Sequence, residues 1–259
     1  MGLEVLVSCM YQDDCGIVQR SGITSDVLII NQCNKDEYVQ FVGRNGQNIR
    51  MISTSERGLS KSRNLALKNA KGDICLFCDD DEQLTPTYSK VIETAFSDNP
   101  HADLIAFWVD IPSKRGKEIK KVKRLNYLDV LKTSSVQIAF RRESILKNEI
   151  FFDELMGSGT GNGGGEEVKF LINCLQKKLR ILYLPQLIGS VSQTESRWFH
   201  GFTPQFMRNQ GWSSRRILGE FWGYLYILLF LFRKYNLYKN DCSFIRAFRE
   251  IHIGFFKKI

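Results

Sequence analysis

The chain has 259 residues, with 36 Lys and Arg against 28 Asp and Glu, a formal net charge of +8, and 43% apolar and 25% charged residues. That length holds one α/β domain with a substantial core plus a short accessory region, and the ordinary apolar and charged fractions exclude extended disorder. The basic balance leaves anionic partners open.

Met1 to Leu6 carries no basic stretch ahead of its apolar residues, and Leu6 stands where a myristoylation pattern needs Ser or Thr. Neither a secretory signal nor that lipid anchor is expected, and the chain is expected in the cytoplasm. Strands are expected over 3–9, 27–31, 49–53 and 74–78, with helices over 36–41, 60–70 and 86–97. That alternation predicts a parallel sheet. The helix over 60–70 has Ser60 as a cap, Leu65, Ala66 and Ala70 near one face, and Lys71-Gly72 as a stop. Ile74 to Cys78 is apolar without alternation, as in a strand covered on both faces.

Asp79, Asp80 and Asp81 therefore stand at the carboxyl end of a core strand, where open α/β sheets hold their ligands. In extended backbone Asp79 and Asp81 point the same way and suit one hard divalent ion, Mg²⁺ or Mn²⁺, completed by substrate phosphates and water. The alternative is a solvated acidic turn leading into a helix capped by Thr85-Pro86. The seven cysteines are scattered and read as buried free thiols of a reducing compartment. Cys75 and Cys78 lack a second such pair and face opposite sides of a strand, which argues against zinc or redox chemistry there.

Two more strands are expected over 104–110 and 136–141, separated by the basic run from Lys114 to Arg124. That run reads as a solvated loop or hairpin, and it would also suit an anionic acceptor or lipid surface. Residues 157–165 contain a literal Gly-x-Gly-x-x-Gly, but Glu166 and Glu167 open the next helix, where they would repel a phosphate. The stretch reads instead as a flexible loop beside an acceptor pocket, ordering when substrates bind. Carboxylates also favour a helix start electrostatically, so a structural role for one of the two stays open.

Past Leu184 the chain becomes rich in aromatics and arginine over 196–202 and 206–212, suited to sugar stacking, phosphate binding or helix packing. His200 lies among them, open to a metal or diphosphate role and to plain packing. Phe221 to Phe232 is uncharged but falls short of the roughly twenty residues needed to span a bilayer. Arg215, Arg216, Arg233, Lys234 and Lys239 flank it, and Arg246, Arg249, Lys257 and Lys258 punctuate an aromatic tail. That is the composition of a helix lying in an anionic membrane interface; a buried accessory helix or dimer contact is the alternative.

Read together, the Gly58-x-Ser60-x-x-Arg63-Asn64 helix, the Gly72-Asp73 strand ending in Asp79-Asp80-Asp81, and Gly165-Glu166-Glu167 resemble the family 2 glycosyltransferases, over about residues 3–184. The resemblance is to bacterial members that build capsule, lipopolysaccharide or other cell-surface polysaccharides. It implies the GT-A fold: an α/β, Rossmann-like nucleotide-sugar-binding domain with a mixed, mostly parallel sheet and a C-terminal helical, aromatic and basic extension. The implied division is 1–190, with a nucleotide-sugar and metal half over 1–110 and an acceptor half over 111–190, followed by 191–259.

The resemblance further implies donor contacts from Cys9, Met10, Asn31, Gln32, Arg63, Asn64, Asp79 and Asp80. It implies a metal at Asp79 and Asp81 with His200, and a catalytic base at Glu167, with Glu166 the other candidate. Two departures stand out. Glu167 replaces the usual Asp, and Asn31-Gln32-Cys33-Asn34 replaces an acidic turn that helps to read the base, which leaves UDP as the default nucleotide. The implied reaction is inverting, metal-dependent transfer from a nucleotide-diphospho-sugar to a hydroxyl of a glycan or polyprenyl-diphosphate-linked acceptor, at the inner face of the plasma membrane. A sugar-phosphate nucleotidyltransferase would need a glycine-rich, Lys- or Arg-bearing triphosphate loop where Ser8-Cys9-Met10-Tyr11-Gln12 stands. A non-catalytic basic anion-binding protein is the other alternative; no nucleic-acid module is visible.

Overall fold

The computed structural model describes residues 2–112, 120–192 and 201–257. The chain enters through β1 (Leu3–Met10), the short α1 (Ile17–Arg20) and β2 (Asp26–Gln32), then forms a hairpin of β3 (Glu37–Val42) and β4 (Asn48–Thr54). The helix α2 (Leu59–Asn69) leads into β5 (Ile74–Asp79), the three-residue β6 (Glu82–Leu84), α3 (Tyr88–Asp98) and β7 (Leu104–Asp110). There follow β8 (Lys123–Arg124), α4 (Tyr127–Val130), a 3-10 turn at Ser135–Gln137, β9 (Ile138–Arg141) and α5 (Arg142–Lys147). The sheet-bearing part of the chain ends with α6 (Glu166–Gln176) and the long β10 (Ile181–Val191).

The strands form one sheet in the order β3-β4-β2-β1-β5-β9-β7-β10-β6, with β8 added on β10. β1 pairs in parallel with β2 and β5, β2 with β4, and β7 with β10. Because β9 runs against both β5 and β7, the six strands β4, β2, β1, β5, β7 and β10 share one direction. Their carboxyl ends therefore open along a single edge. The sheet is mixed and mostly parallel, as the family resemblance implies.

Alternate residues feed two cores. Val5, Val7, Val27, Ile29, Leu76 and Cys78 pack on one face, against α3; Leu6, Leu28, Ile30, Cys75 and Phe77 pack on the other, against α2 and α6. Both faces are covered, which explains why these strands lack a polar alternation. Cys75 and Cys78 fall on opposite faces, and six of the seven cysteines are buried.

Several local expectations are corrected. The segment 36–41 is not a helix but the edge strand β3, antiparallel to β4. Its Tyr38, Val39, Phe41 and Val42 favour strand, and the Gly43 to Gln47 turn, closed by Gly43 N–H on Gln47 O at 2.8 Å, makes the hairpin. Ser60 does not cap α2: Gly58 does, at φ 125°, while the Ser60 hydroxyl donates to Met156 O at 2.8 Å. The helix expected from Pro86 begins at Tyr88, and the strand expected from 136 begins at Ile138 after the 3-10 turn. Pro185 lies within β10, where the pairing with β7 shifts register between Leu184 and Leu187. A proline cannot donate to the ladder, so the strand bulges around it. The basic run is described only from Lys120; its Lys123-Arg124 pair with Leu182 and Tyr183 as β8.

The C-terminal part is helical. The helix α7 (Pro204–Arg233) is interrupted at Gly219, whose φ 77° and ψ −175° are open essentially to glycine alone. The chain doubles back there: a Cβ on Gly223 would lie 2.7 Å from Ser214 O, and Met207, Ile227 and Leu231 share one core cluster. After α8 (Tyr235–Tyr238), the amphipathic α9 (Phe244–Phe255) crosses α7 in backbone contact. A Cβ on Gly211 would lie 1.9 Å from Ile251 O, and one on Gly254 1.8 Å from Arg208 O. Among the described residues no helix is long and apolar enough to cross a membrane.

Candidate active site

The common carboxyl edge of the sheet gathers the ends of β1, β2, β4 and β5, and α2 starts on top of it. Gln32 Oε1, at the end of β2, accepts from Gly58 N–H at 2.8 Å, and Ser62 and Ser8 hydroxyls meet at 2.9 Å. This fixes the first turn of α2 and aims Arg63 at the end of β5.

Arg63 is the hub of the site, 2% exposed. Its Nη2 donates to Asp79 Oδ1 at 3.0 Å, Asp79 Oδ2 at 3.3 Å and Ser135 Oγ at 2.8 Å; its Nη1 reaches Glu166 Oε1 at 3.5 Å. The guanidinium carbon stands 5.4 Å from the centre of the Phe152 ring. Burial works against its charge, but Asp79, Glu166 and Glu167 outweigh that and raise its pKa. One buried cation thus joins the acidic strand end to the start of α6.

The two glutamates at that start differ by their partners. Glu166 is buried and turned onto Arg63, and Gly157 makes room for it: a Cβ there would lie 2.9 Å from Glu166 Cδ. Glu167 keeps some accessible surface, although its carboxyl is desolvated. Burial, then the neighbouring Glu166 charge, push it up to about 7, with Arg63 pulling the other way. The two adjacent carboxyls thus sit in different environments, Glu166 facing Arg63 and Glu167 pushed up by burial and by its neighbour's charge.

Asp79 is half-buried, Asp80 exposed and Asp81 half-buried. Ser192 pins their turn, donating to Asp81 O from its N–H at 3.1 Å and its hydroxyl at 3.2 Å. The turn does not open a helix; it runs straight into β6, against Gly189–Val191 of β10. Glu82 follows, buried, with no hydrogen bond of normal geometry to either carboxyl oxygen and the Cys78 thiol close by. Burial, then the Asp79 charge, push Glu82 well above the carboxylate range. Among the described residues no three His, Cys, Asp or Glu side chains assemble into a metal site. Asp79 and Asp81 are too few for a protein-only cage, yet an all-oxygen pair fits a hard cation shared with a diphosphate and water.

The remaining expected donor contacts are placed as follows. Asn64 is buried, its Nδ2 on Phe152 O at 3.0 Å and Glu154 Oε1 at 2.9 Å, its Oδ1 accepting from Phe152 N–H at 2.8 Å. Asn31 is buried too, and holds Gln12 through both backbone groups at 2.8 and 2.9 Å. Cys9 and Gln32 are buried, and Met10 is exposed. His200 and the aromatic run 196–199 lie outside the described residues.

Sequence reasoning missed Tyr11 and Arg57. Arg57 clips three loops together, donating to Cys33 O at 2.9 Å, Ser55 O at 2.8 Å and Asn34 Oδ1 at 2.7 Å, with its guanidinium 5.4 Å from the Tyr11 ring centre. Tyr11 sits exposed at φ 50° on this rim. Arg57 adjoins Gly58, but nothing in the sequence spacing pairs it with Tyr11.

The loop 157–165 is partly exposed and touches its surroundings at several points. Ser158 O accepts from Leu59 N–H at 3.1 Å, a Cβ on Gly163 would lie 1.9 Å from Ser213 Oγ, and one on Gly165 2.8 Å from Ile217 Cδ1. Its glycines let α2, α6 and α7 close on one another. Two clefts flank the cluster: one of about 460 Å³ beside α2, at Ser55, Lys61 and Asn64, and one of about 610 Å³ between α6 and α7.

Residues 15–164, more than half of the chain, match the profile of glycosyl transferase family 2. The chain belongs to this family. The matched span of this family 2 chain holds Arg63 and Asp79 to Asp81, and ends just before Glu166. Two curated relatives, the poly(ribitol-phosphate) beta-N-acetylglucosaminyltransferase TarS of Staphylococcus aureus strains Mu50 and MW2, are each 28% identical over 143 residues. The alignment covers 51% of this chain and 25% of either relative, so the chain spans about a quarter of their length. The crystal structure of S. aureus TarS 1–349 superposes with a TM-score of 0.63 at 19% identity, covering 98% of this chain and 81% of that one. The same fragment in complex with UDP-GlcNAc gives 0.63 at 18%, with the same coverage. At that identity the likeness establishes the fold, which is the α/β architecture expected of the family.

Proposed function

We propose that this chain is an inverting, metal-dependent glycosyltransferase that moves a sugar from a UDP-sugar to a hydroxyl of a cell-surface glycan or lipid-linked acceptor. The observation that carries the reading is the pair at the start of α6: Glu166 locked onto Arg63, and Glu167 pushed up to about 7 beside it. A carboxyl in that range is a base matched to neutral pH, able to take the proton of an attacking hydroxyl. Glu166 is held by Arg63 and Gly157, which supports Glu167 as the base. A single base acting on the attacking hydroxyl, with the acidic turn assigned to the donor diphosphate, supports a single displacement with inversion.

Asp79 is oriented by Arg63, and Asp80 and Asp81 offer accessible carboxylates on the same turn; these side chains face the donor diphosphate in this reading. A bound Mg²⁺ or Mn²⁺ at Asp79 and Asp81 would supply neutralisation of charge developing on the leaving diphosphate. Arg63, being buried and paired, positions Asp79 and Glu166 and is not the phosphate clamp. Asn31, Gln32 and Asn64 brace the loops around the donor, and Tyr11 offers a ring on the rim against which a base can stack. UDP-GlcNAc is the donor to try first, because the TarS fragment was solved with it.

The second half of α7 exposes Phe221 (69%), Trp222 (66%), Leu229 and Phe232 (69%), followed by Arg233 and Lys234. Together with Ile245 and Phe256 from the α9 region, this supports a peripheral seat on an anionic membrane face, beside a lipid-linked acceptor.

The test is release of nucleoside diphosphate from a panel of nucleotide-sugars with Mn²⁺ or Mg²⁺, read together with donor binding. Release from one donor, lost on chelation and in Asp81→Ala, is the expected result. Absence of metal-dependent binding to every donor would overturn the reading.

A further inference from the structure

We propose that the cleft of about 610 Å³ between α6 and α7 binds a phosphodiester of the acceptor, away from the hydroxyl that reacts. The proposal rests on the glycosyl-transfer reading and assigns the acceptor a chemical class. Four cations line the cleft, Lys169, Arg215, Arg216 and Lys257, against two acids, Asp153 and Glu220. The acids are already used: Arg216 binds Asp153 through two nitrogens, and Arg215 binds Glu220. Among the described residues neither lysine has a carboxylate within ion-pair distance, and the Lys257 ammonium has only Asn162 Oδ1, at 3.3 Å. The cleft thus carries two uncompensated positive charges, matched to one phosphate ester and unmatched to a neutral glycan.

Lys169 is the more telling of the two. Burial holds its ammonium below the ordinary lysine range, with Asp153 only partly offsetting it. Lys169 is half-buried without an ionic partner, and a bound anion would supply one. The volume suits a small ligand or one repeat of a chain. The surroundings link it to the catalytic elements: Asn162 belongs to the glycine-rich loop, Lys169 N–H bonds Gly165 O at 2.9 Å, and Gly219, where α7 doubles back, forms part of the wall. Lys169 follows Glu167 by two residues, which on a helix is a rotation of roughly 200°. A ligand in the cleft therefore lies on the opposite flank of α6 from the base, as a neighbouring repeat of a chain would.

The experiment titrates the full chain with a glycerol phosphodiester, glycero-phospho-glycerol, by calorimetry at low salt. Wild type, Lys169→Met, Lys257→Met and the charge-preserving Lys169→Arg are compared, with UDP-GlcNAc titrated into wild type in parallel. The diester is expected to bind wild type and Lys169→Arg, and to bind each Met variant about tenfold more weakly, the loss of one charge-assisted hydrogen bond. Thermal unfolding of each variant checks that the loss is not misfolding. Unchanged diester affinity in the folded Met variants overturns the proposal. Glycero-phospho-glycerol is also the phosphatidylglycerol headgroup, so binding to phosphatidylglycerol vesicles that is much tighter than to the diester and is lost in both Met variants likewise overturns the proposal and makes the cleft a headgroup site. Donor binding without diester binding overturns the cleft proposal alone, whereas wild type that binds no nucleotide-sugar sinks the parent reading and the acceptor role with it.

Discussion

Glu166 and Glu167 are the same side chain in consecutive positions, and only their partners tell them apart. If Glu167 is the base, Glu167→Gln lowers kcat by about 10²–10⁴-fold with little change in donor affinity, measured by steady-state kinetics and donor titration. Since the base works deprotonated and its carboxyl is pushed up to about 7, kcat should rise with pH through that value and then level off. The same group titrates near 4.5 when unperturbed, so between 4.5 and about 7 the folded chain holds a proton that the unfolded chain does not. Its contribution to stability therefore falls as pH rises across that window. Arg63→Met removes the cation that holds Glu167 down, and the acidic limb of the pH profile should move to higher pH. It also strands Glu166 and Asp79, at a cost on the order of 3 kcal/mol in urea unfolding; an unmoved limb would show that Arg63 is not coupled to the base.

Among the elements, β1, β2, β4, β5, β7 and β9 were legible because burial on both faces leaves a continuous apolar run, whereas β10, exposed over Pro185 to Leu187, has no such run and was not expected. The segment 36–41 was misread because an exposed edge strand, with most of its residues open to water, carries no such pattern; its identity comes from the Gly43 to Gln47 turn and from pairing with β4. Glycine was likewise ambiguous from sequence. The same residue makes the turn at Gly219, the pocket for Glu166 at Gly157, and the backbone crossing of α7 and α9 at Gly211 and Gly254. The crossing is the most demanding of these. Gly254→Ala, whose Cβ would lie 1.8 Å from Arg208 O, should push α9 off α7 and cost about 1–3 kcal/mol, visible as a lower melting temperature and faster proteolysis near Lys239. Gly219→Ala meets no neighbour and pays only for its φ of 77°.

At the scale of the whole molecule, the C-terminal helices bury one face on each other and expose the other. Phe221, Leu225, Leu229 and Phe232 recur at helical spacing on the exposed side. If that side meets a membrane, the full chain should bind phosphatidylglycerol vesicles and not phosphatidylcholine ones. Phe221→Ser with Trp222→Ser should weaken binding about tenfold or more, since each large apolar side chain contributes about 1.5–3 kcal/mol when buried. Binding insensitive to both residues would turn the face into a protein contact. By itself the sequence determined six of the ten strands (β1, β2, β4, β5, β7 and β9), the acidic end of β5, the Arg63-Asn64 helix and the position of the glutamate pair, because short-range spacing and apolar runs express these directly. Only the tertiary structure decided that Arg63 is spent on Asp79 and Glu166, that Asn31, Gln32 and Asn64 are occupied with backbone, that Tyr11 meets Arg57, and that a basic cleft forms between α6 and α7. Each depends on residues brought together from distant parts of the chain, where burial and charge are set by neighbours that local sequence does not name.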